Sequence, residues 1–280
     1  MIAADPPPAA TDRAITLHRL RLHYLDWGKP QAPALLLLHG GSAHAHWWDW
    51  FAPTVADRFH VLALDLRGHG DSQWARPPAY GVSDYAGDVV AFTEALGLHP
   101  LRLIGHSLGG TVAATAAACM AERMAALVIV DSRTQARQDR RRFMQRLAGM
   151  PHPRYRSLEQ GISLYRLLPS DSTAPAEILA AVAAHALRRD GDGTWTFKFD
   201  RAALAAIKGH DVTPHLAQLR CPMLAVRGAA SPLMPAAAIE ALRAAAPQLE
   251  TIEIAGAHHH VMLDRPVEFS AAVGEFLKRT

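Results

Sequence analysis

Cysteine is nearly absent: the 280 residues hold two, Cys119 and Cys221. Cys119 falls on an alanine-rich helical pattern and Cys221 just before a strand pattern. Two isolated thiols make neither a disulfide framework nor a metal-ligand spacing, so a reducing cytoplasm is the expected setting. Long hydrophobic runs are missing as well. The longest, Ala34–Leu38 and Leu127–Val130, are strand-sized and far short of the ~18 residues of a spanning helix. No membrane partner is expected. The opening residues, MIAADPPPAATD, carry Asp5, three prolines and no apolar stretch of the signal-peptide kind. Residues 1–12 read as a flexible arm. One-signed charge is scarce too, with a net of +3. It is unevenly spread: residues 133–210 hold 14 basic and 7 acidic side chains, against 15 and 19 elsewhere. That distribution suits solvated helix faces. No nucleic-acid recognition motif accompanies the arginines, so no nucleic-acid partner is expected. A bias towards anionic substrates stays open.

What is present is an alternation of strand and helix signals. Ile15–Leu20 and Leu22–Leu25 suggest an antiparallel hairpin. Ala34–Leu38, His60–Leu64, Leu101–Ile104 and Leu127–Val130 are continuous apolar runs, as in strands buried on both faces. Helical windows fall between them at Trp48–Ala56, Asp84–Leu96 and Leu108–Met120. Strands and helices spaced this way predict βαβ units and a parallel sheet. The rhythm stops after Asp131. Residues 133–210 lack buried-strand runs and show helical stretches near Thr134–Leu147, Leu158–Leu168 and Pro175–Arg188, then a short alternation at Trp195–Phe199. It resumes with Met223–Val226, Pro235–Ala246, Leu249–Ile254 and Pro266–Lys278. The middle segment therefore reads as an insertion between two parts of one sheet domain.

Gly105-His106-Ser107-Leu108-Gly109 spells G-x-S-x-G. A strand pattern precedes it and a helix pattern follows, the context a sharp nucleophile-bearing turn requires. The strain of that turn sets Ser107 Oγ at the carboxyl end of the sheet. A serine hydroxyl is a weak nucleophile at neutral pH and needs a base, and imidazole titrates in the right range. Among the 16 histidines, His258, His259 and His260 follow the last strand pattern and can reach the turn. Three adjacent histidines also raise the question of a metal. Neighbouring side chains fan apart, however, and no carboxylate or cysteine stands at ligand spacing, so no metal or cofactor is expected. His39-Gly40-Gly41-Ser42 follows another buried strand. There the Gly41 amide, with that of Leu108, would stabilise an oxyanion; alone, the segment is an ordinary βα turn.

Five segments taken together, LLLLHGG (35–41), LDLRGHGDS (64–72), LIGHSLGG (103–110), LVIVDS (127–132) and AHHHVMLDRP (257–266), resemble the α/β-hydrolase superfamily. They are most similar to its capped subgroup of esterases, lactonases, carbon–carbon hydrolases and haloperoxidase-type enzymes. The resemblance implies a mostly parallel eight-stranded sheet flanked by helices. It places the core at residues 13–132 and 211–280 and a helical cap at 133–210. Family spacing counted back from Pro266 assigns the base to His259. It makes the Asp65–Ser72 loop structural, held by Arg67 and Asp71, with His69 a loop residue. The expected activity is cleavage of an ester or related acyl bond of a small molecule through an acyl-enzyme on Ser107. Serine at the turn argues against dehalogenase and epoxide hydrolase chemistry, which use aspartate there. One departure stands out: the usual acid follows the strand here at Met223–Val226, where this chain reads Gly228-Ala229-Ala230-Ser231-Pro232. Asp131 is the substitute, with Asp211, Asp264 or a dyad assisted by Ser231 as alternatives. That departure also keeps open a slow or non-catalytic binding module. Carbon–carbon bond cleavage is a further alternative. Trp47, Trp48, Trp50 and Trp195 either line an apolar pocket or pack the core. Oligomeric state is left open.

Overall fold

The computed structural model describes residues 9–132, 141–206 and 210–280. Most of the expected arm and the start of the first insertion helix lie outside the described residues. The chain runs β1 (Thr11–Leu17), β2 (Leu20–Asp26), β3 (Ala34–Leu38), β4 (His60–Leu64), α1 (Val82–Ala95), β5 (Leu101–His106), α2 (Leu108–Cys119) and β6 (Met124–Val130). It continues through α3 (Arg141–Ala148), α4 (Leu158–Leu164), α5 (Ala176–His185), β7 (Leu187–Arg189), β8 (Trp195–Phe197), α6 (Ala202–Ala205) and α7 (Thr213–Leu216). It closes with β9 (Met223–Gly228), α8 (Ala236–Ala245), β10 (Leu249–Ile254), α9 (Val261–Asp264) and α10 (Pro266–Leu277). Among the described residues no helix is long and apolar enough to cross a membrane.

Eight strands form one sheet in the order β1-β2-β4-β3-β5-β6-β9-β10. Only β2 runs against the others. This is the α/β-hydrolase architecture. The hairpin turn His18-Arg19 has φ of +49° and +67°, the left-handed pair that matches the twist of the flanking strands. Strand β1 begins at Thr11, two residues before the expected start of the core. Successive residues of the central strands feed two cores. Leu36 and Leu38 face Val89 and Phe92 of α1 and Val112 of α2. Leu35 and Leu37 face Trp48, Phe51 and the Phe269 and Phe276 rings of α10. Period-two side chains on a sheet covered on both sides explain why these strands are apolar throughout.

The helix expected at Trp48–Ala56 is instead two short 3₁₀ turns, Ala45–Trp48 and Ala52–Thr54. Pro53 supplies no amide hydrogen and cannot continue a preceding helix, so it opens the second turn.

The segment between β6 and β9 packs onto loops that follow parallel strands. His44, after β3, donates from Nε2 to the Val182 carbonyl at 2.9 Å. After β4, Trp74 Nε1 donates to the Lys198 carbonyl at 2.7 Å and Arg76 Nη1 to Asp200 at 2.6 Å. After β10, His260 Nε2 donates to the Pro169 carbonyl at 2.8 Å. All three loops lie at the carboxyl ends of their strands, so the segment sits over that end of the sheet.

Candidate active site

Ser107 joins β5 to α2 with φ +52° and ψ −115°. A non-glycine residue at positive φ is strained, and the surrounding contacts enforce it. The Ser107 amide donates to the Val130 carbonyl at 2.9 Å. Ser132 Oγ donates to the Ser107 carbonyl at 2.7 Å. Gly109 lies so close to the end of β3 that a Cβ there would sit 2.4 Å from the Leu38 carbonyl oxygen. The turn is thus clamped between β3 and β6.

Two distant residues meet Ser107. Its hydroxyl is 3.0 Å from His259 Nε2, and His259 Nδ1 is 2.8 Å from Asp131 Oδ1. His259 is nearly enclosed and Asp131 wholly so. The carboxylate is held from both sides. Ser231 Oγ donates to Oδ1 at 2.6 Å, and the Gly228 amide to Oδ2 at 2.9 Å. Asp131 itself takes φ +41°, and its amide donates to the Val226 carbonyl at 2.7 Å. Neighbouring strands β6 and β9 therefore deliver the acid and its donors to one point. Burial pushes the Asp131 carboxyl up to about 7. The Ser231 and Gly228 hydrogen bonds and the charges of Arg227 and His260 pull the other way.

The other carboxylates weighed from the sequence are hydrogen-bonded elsewhere. Asp211 accepts from the amide and hydroxyl of Thr213 at the start of α7. Asp264 closes α9 and is buried. Its Oδ1 accepts from Ser172 Oγ at 2.5 Å and the Thr173 amide at 2.9 Å, and its Oδ2 from the His258 amide at 2.7 Å. It ties the inserted segment to the loop that carries His259.

The turn after β3 presses against Ser107. A Cβ on Gly40 would meet His106 Nδ1 at 2.8 Å and Ser107 Cβ at 3.3 Å. His39 fixes the turn by donating from Nδ1 to the Gly40 carbonyl and accepting from the Leu66 amide at Nε2. No described residue accepts the amide of Gly41 or of Leu108. Those are the two N–H groups expected to serve an oxyanion.

In the Asp65–Ser72 loop Arg67 and Asp71 each take a partner of their own. Arg67 forks onto Asp88 of α1 at 2.5 and 2.6 Å. Asp71 Oδ2 takes Lys198 Nζ at 2.6 Å. The buried centre of the loop is Asp65, which accepts from His23 Nδ1 and from the amides of Ala45 and Asp71. His69 is buried and donates to the Arg67 carbonyl.

Trp48 packs in the core against Phe51 and Phe269, and Trp50 leans on the same core. Trp47 lies 5.9 Å from the His106 ring and 5.2 Å from the His260 ring, beside Ser107. Trp195 pairs its backbone with Tyr155 inside the insertion. Sequence reasoning gave Ser132 and His106 no role. Yet Ser132 braces Ser107, and His106 Nε2 donates to the His259 carbonyl at 2.9 Å. Their only local signal was adjacency to Asp131 and Ser107.

A family model described as the alpha/beta hydrolase fold matches residues 33–266. The 2-(acetamidomethylene)succinate hydrolase of Mesorhizobium japonicum is 25% identical over 95% of this chain and 94% of its own. The N-formylmaleamate deformylase of Pseudomonas putida is 37% identical over 42% of this chain. Epoxide hydrolase 4 of Mus musculus is 31% identical over 46%. The last two matches span 43% and 38% of those relatives, less than half of each. A crystal structure of E-2-(acetamidomethylene)succinate hydrolase superposes with a TM-score of 0.86 at 24% identity, over 96% of this chain and all of that one. At that identity the superposition speaks for the fold alone.

Proposed function

Because this chain belongs to the α/β-hydrolase fold family, we propose that it is a serine hydrolase that cleaves an ester or related acyl bond of a small molecule. The observation that carries the reading is the continuous relay Ser107–His259–Asp131, with contacts of 3.0 and 2.8 Å. His259 removes the Ser107 proton as Oγ attacks the carbonyl carbon, while Asp131 holds the Nδ1–H tautomer and compensates the imidazolium. The amides of Gly41 and Leu108 hold the oxyanion, helped by the N-terminus of α2. His259 returns the proton to the leaving group. It then activates the water that releases the acid from Ser107.

The segment over the strand ends acts as a cap and sets which substrates enter. An acid within reach of His259 favours this enzyme over a binding module on the same fold. The bond cleaved is chosen by the substrate, since esters, thioesters, amides and carbon–carbon bonds next to a carbonyl all pass through the same adduct. The panel should therefore carry formamides and acetamides beside esters and lactones, given the deformylase and the acetamidomethylene hydrolase among the relatives. Ser107→Ala tests the core claim: turnover of an aryl ester and labelling by a fluorophosphonate should both vanish. A variant that keeps wild-type hydrolysis would overturn it.

A further inference from the structure

A second cluster of chemistry-bearing side chains lies outside the Ser107 centre, on the seam between α5 and the turn after β3. His46, Asp49 and His185 each offer a ligand atom, and those atoms lie within 4.8 Å of one another. His46 and His185 stack with ring centroids 3.5 Å apart. His46 Nδ1 donates to Asp49 Oδ2 at 2.9 Å, so its lone pair sits on Nε2. His44 joins them, its ring 6.0 Å from His46 and 6.2 Å from His185. His44 gives its Nε2 hydrogen to the Val182 carbonyl. Its Nδ1 is buried with no partner. A buried polar atom left unpaired is costly.

The geometry points to a transition-metal site here, for a divalent cation of the zinc class held by His46, His185 and Asp49. The donor chemistry matches. Imidazole with one carboxylate suits Zn²⁺, Co²⁺ and Ni²⁺. Imidazoles that bind such ions give their second ring N–H to a carboxylate or a backbone carbonyl, as His46 and His44 do. Stacked rings point their lone pairs side by side, so one must turn to share an ion. His185, solvent-exposed near the end of α5, is the one with room to do so. The bound cation ties α5 to the turn that starts at Gly41. It thereby couples closure of the segment over the strand ends to the wall of the Ser107 site. Sequence spacing gave no hint, because His185 lies far down the chain from His46.

The test is calorimetric titration of zinc chloride into the full chain, with thermal melts and aryl-ester hydrolysis on the same samples. Expected are one ion per chain, a raised melting temperature and at least a hundredfold weaker binding in His185→Ala. Asp49→Asn removes a ligand's charge together with the acceptor that orients His46, and should weaken binding by at least the ~10–100-fold that a lost orienting partner costs. Each variant should melt like the wild type without zinc. No binding by the wild type would overturn the proposal. So would undiminished binding in His185→Ala, which would place the ion on His106, His259 and His260 and predict loss of hydrolysis on adding zinc. Cobalt(II) absorption gives an independent reading: His185→Ala should abolish any tetrahedral d–d bands.

Discussion

Asp131→Asn is the sharpest probe of the relay. The Gly228 amide is a fixed donor aimed at Asp131 Oδ2 at 2.9 Å. An asparagine in this position satisfies it by turning its carbonyl oxygen that way. Its NH₂ then faces Ser231 Oγ and His259 Nδ1. The serine hydroxyl can rotate and accept. The imidazole has no such freedom: its Nδ1 must become the acceptor and its proton moves to Nε2. In that tautomer His259 donates to Ser107 and cannot take its proton. The precedent for this tautomer trap is a loss of ~10⁴ in turnover, roughly 5.5 kcal/mol of transition-state stabilisation. Burst kinetics with a p-nitrophenyl ester separate acylation from substrate binding, and KM should change little. The acid can then be relocated. Ser231 Oγ lies 2.6 Å from the carboxylate oxygen that His259 uses. A carboxylate at position 231 in Asp131→Asn/Ser231→Asp should restore at least tenfold of the lost rate. If Asp131→Asn keeps turnover within tenfold of wild type, Asp131 is not what orients the base.

Three further outcomes follow from the same contacts. Ser231→Ala removes a donor to the charged form of Asp131, so its pKa, already raised by burial to about 7, rises further. The acid limb of the kcat/KM profile should move about one unit to higher pH, and an unmoved limb would count against the shared hydrogen bond. Gly109→Ala puts a Cβ 2.4 Å from the Leu38 carbonyl oxygen and 2.5 Å from that of His39. Because backbone cannot yield as a side chain does, labelling of Ser107 by a fluorophosphonate should fall far more than overall helicity by circular dichroism. Asp65 is pushed up by burial but held well below the ordinary carboxylate range by the His23 hydrogen bond and the His23 charge. A depressed folded pKa adds stability above the unfolded value of 3.8 that is lost as pH falls through it. Asp65→Ala should therefore cost about 3–5 kcal/mol in urea unfolding at pH 7 and clearly less at pH 3; equal costs at both would refute the assignment.

The parts of this molecule legible in the sequence are those written in short stretches of chain. The apolar runs of β3, β4, β5 and β6 announce strands covered on both faces. The glycines around Ser107 announce a bend too tight for side chains. Local signals mislead where a single residue overrules a periodic pattern, as Pro53 does in breaking the expected helix into two turns. They are silent where function depends on which strands lie side by side. Nothing near Asp131 in the chain says that Val130 will pair with Val226. That register alone carries Gly228 and Ser231 to the carboxylate.

The same register explains how the acid can stand in an unusual place without cost to the geometry. Strands β6 and β9 are adjacent and parallel, so their carboxyl ends open onto one small volume beside the loop of His259. A carboxylate entering from either strand end meets the same Nδ1. This chain sends it from β6 and leaves on the β9 side a hydroxyl and an amide that both donate to it. Two acceptor oxygens then face three donors, Ser231, Gly228 and His259. Buried charge is tolerated only when hydrogen-bonded this fully. The serine at 231 is therefore a working part of the arrangement, the donor that favours the ionised form of an enclosed carboxylate, and its position marks where an acid on β9 would stand.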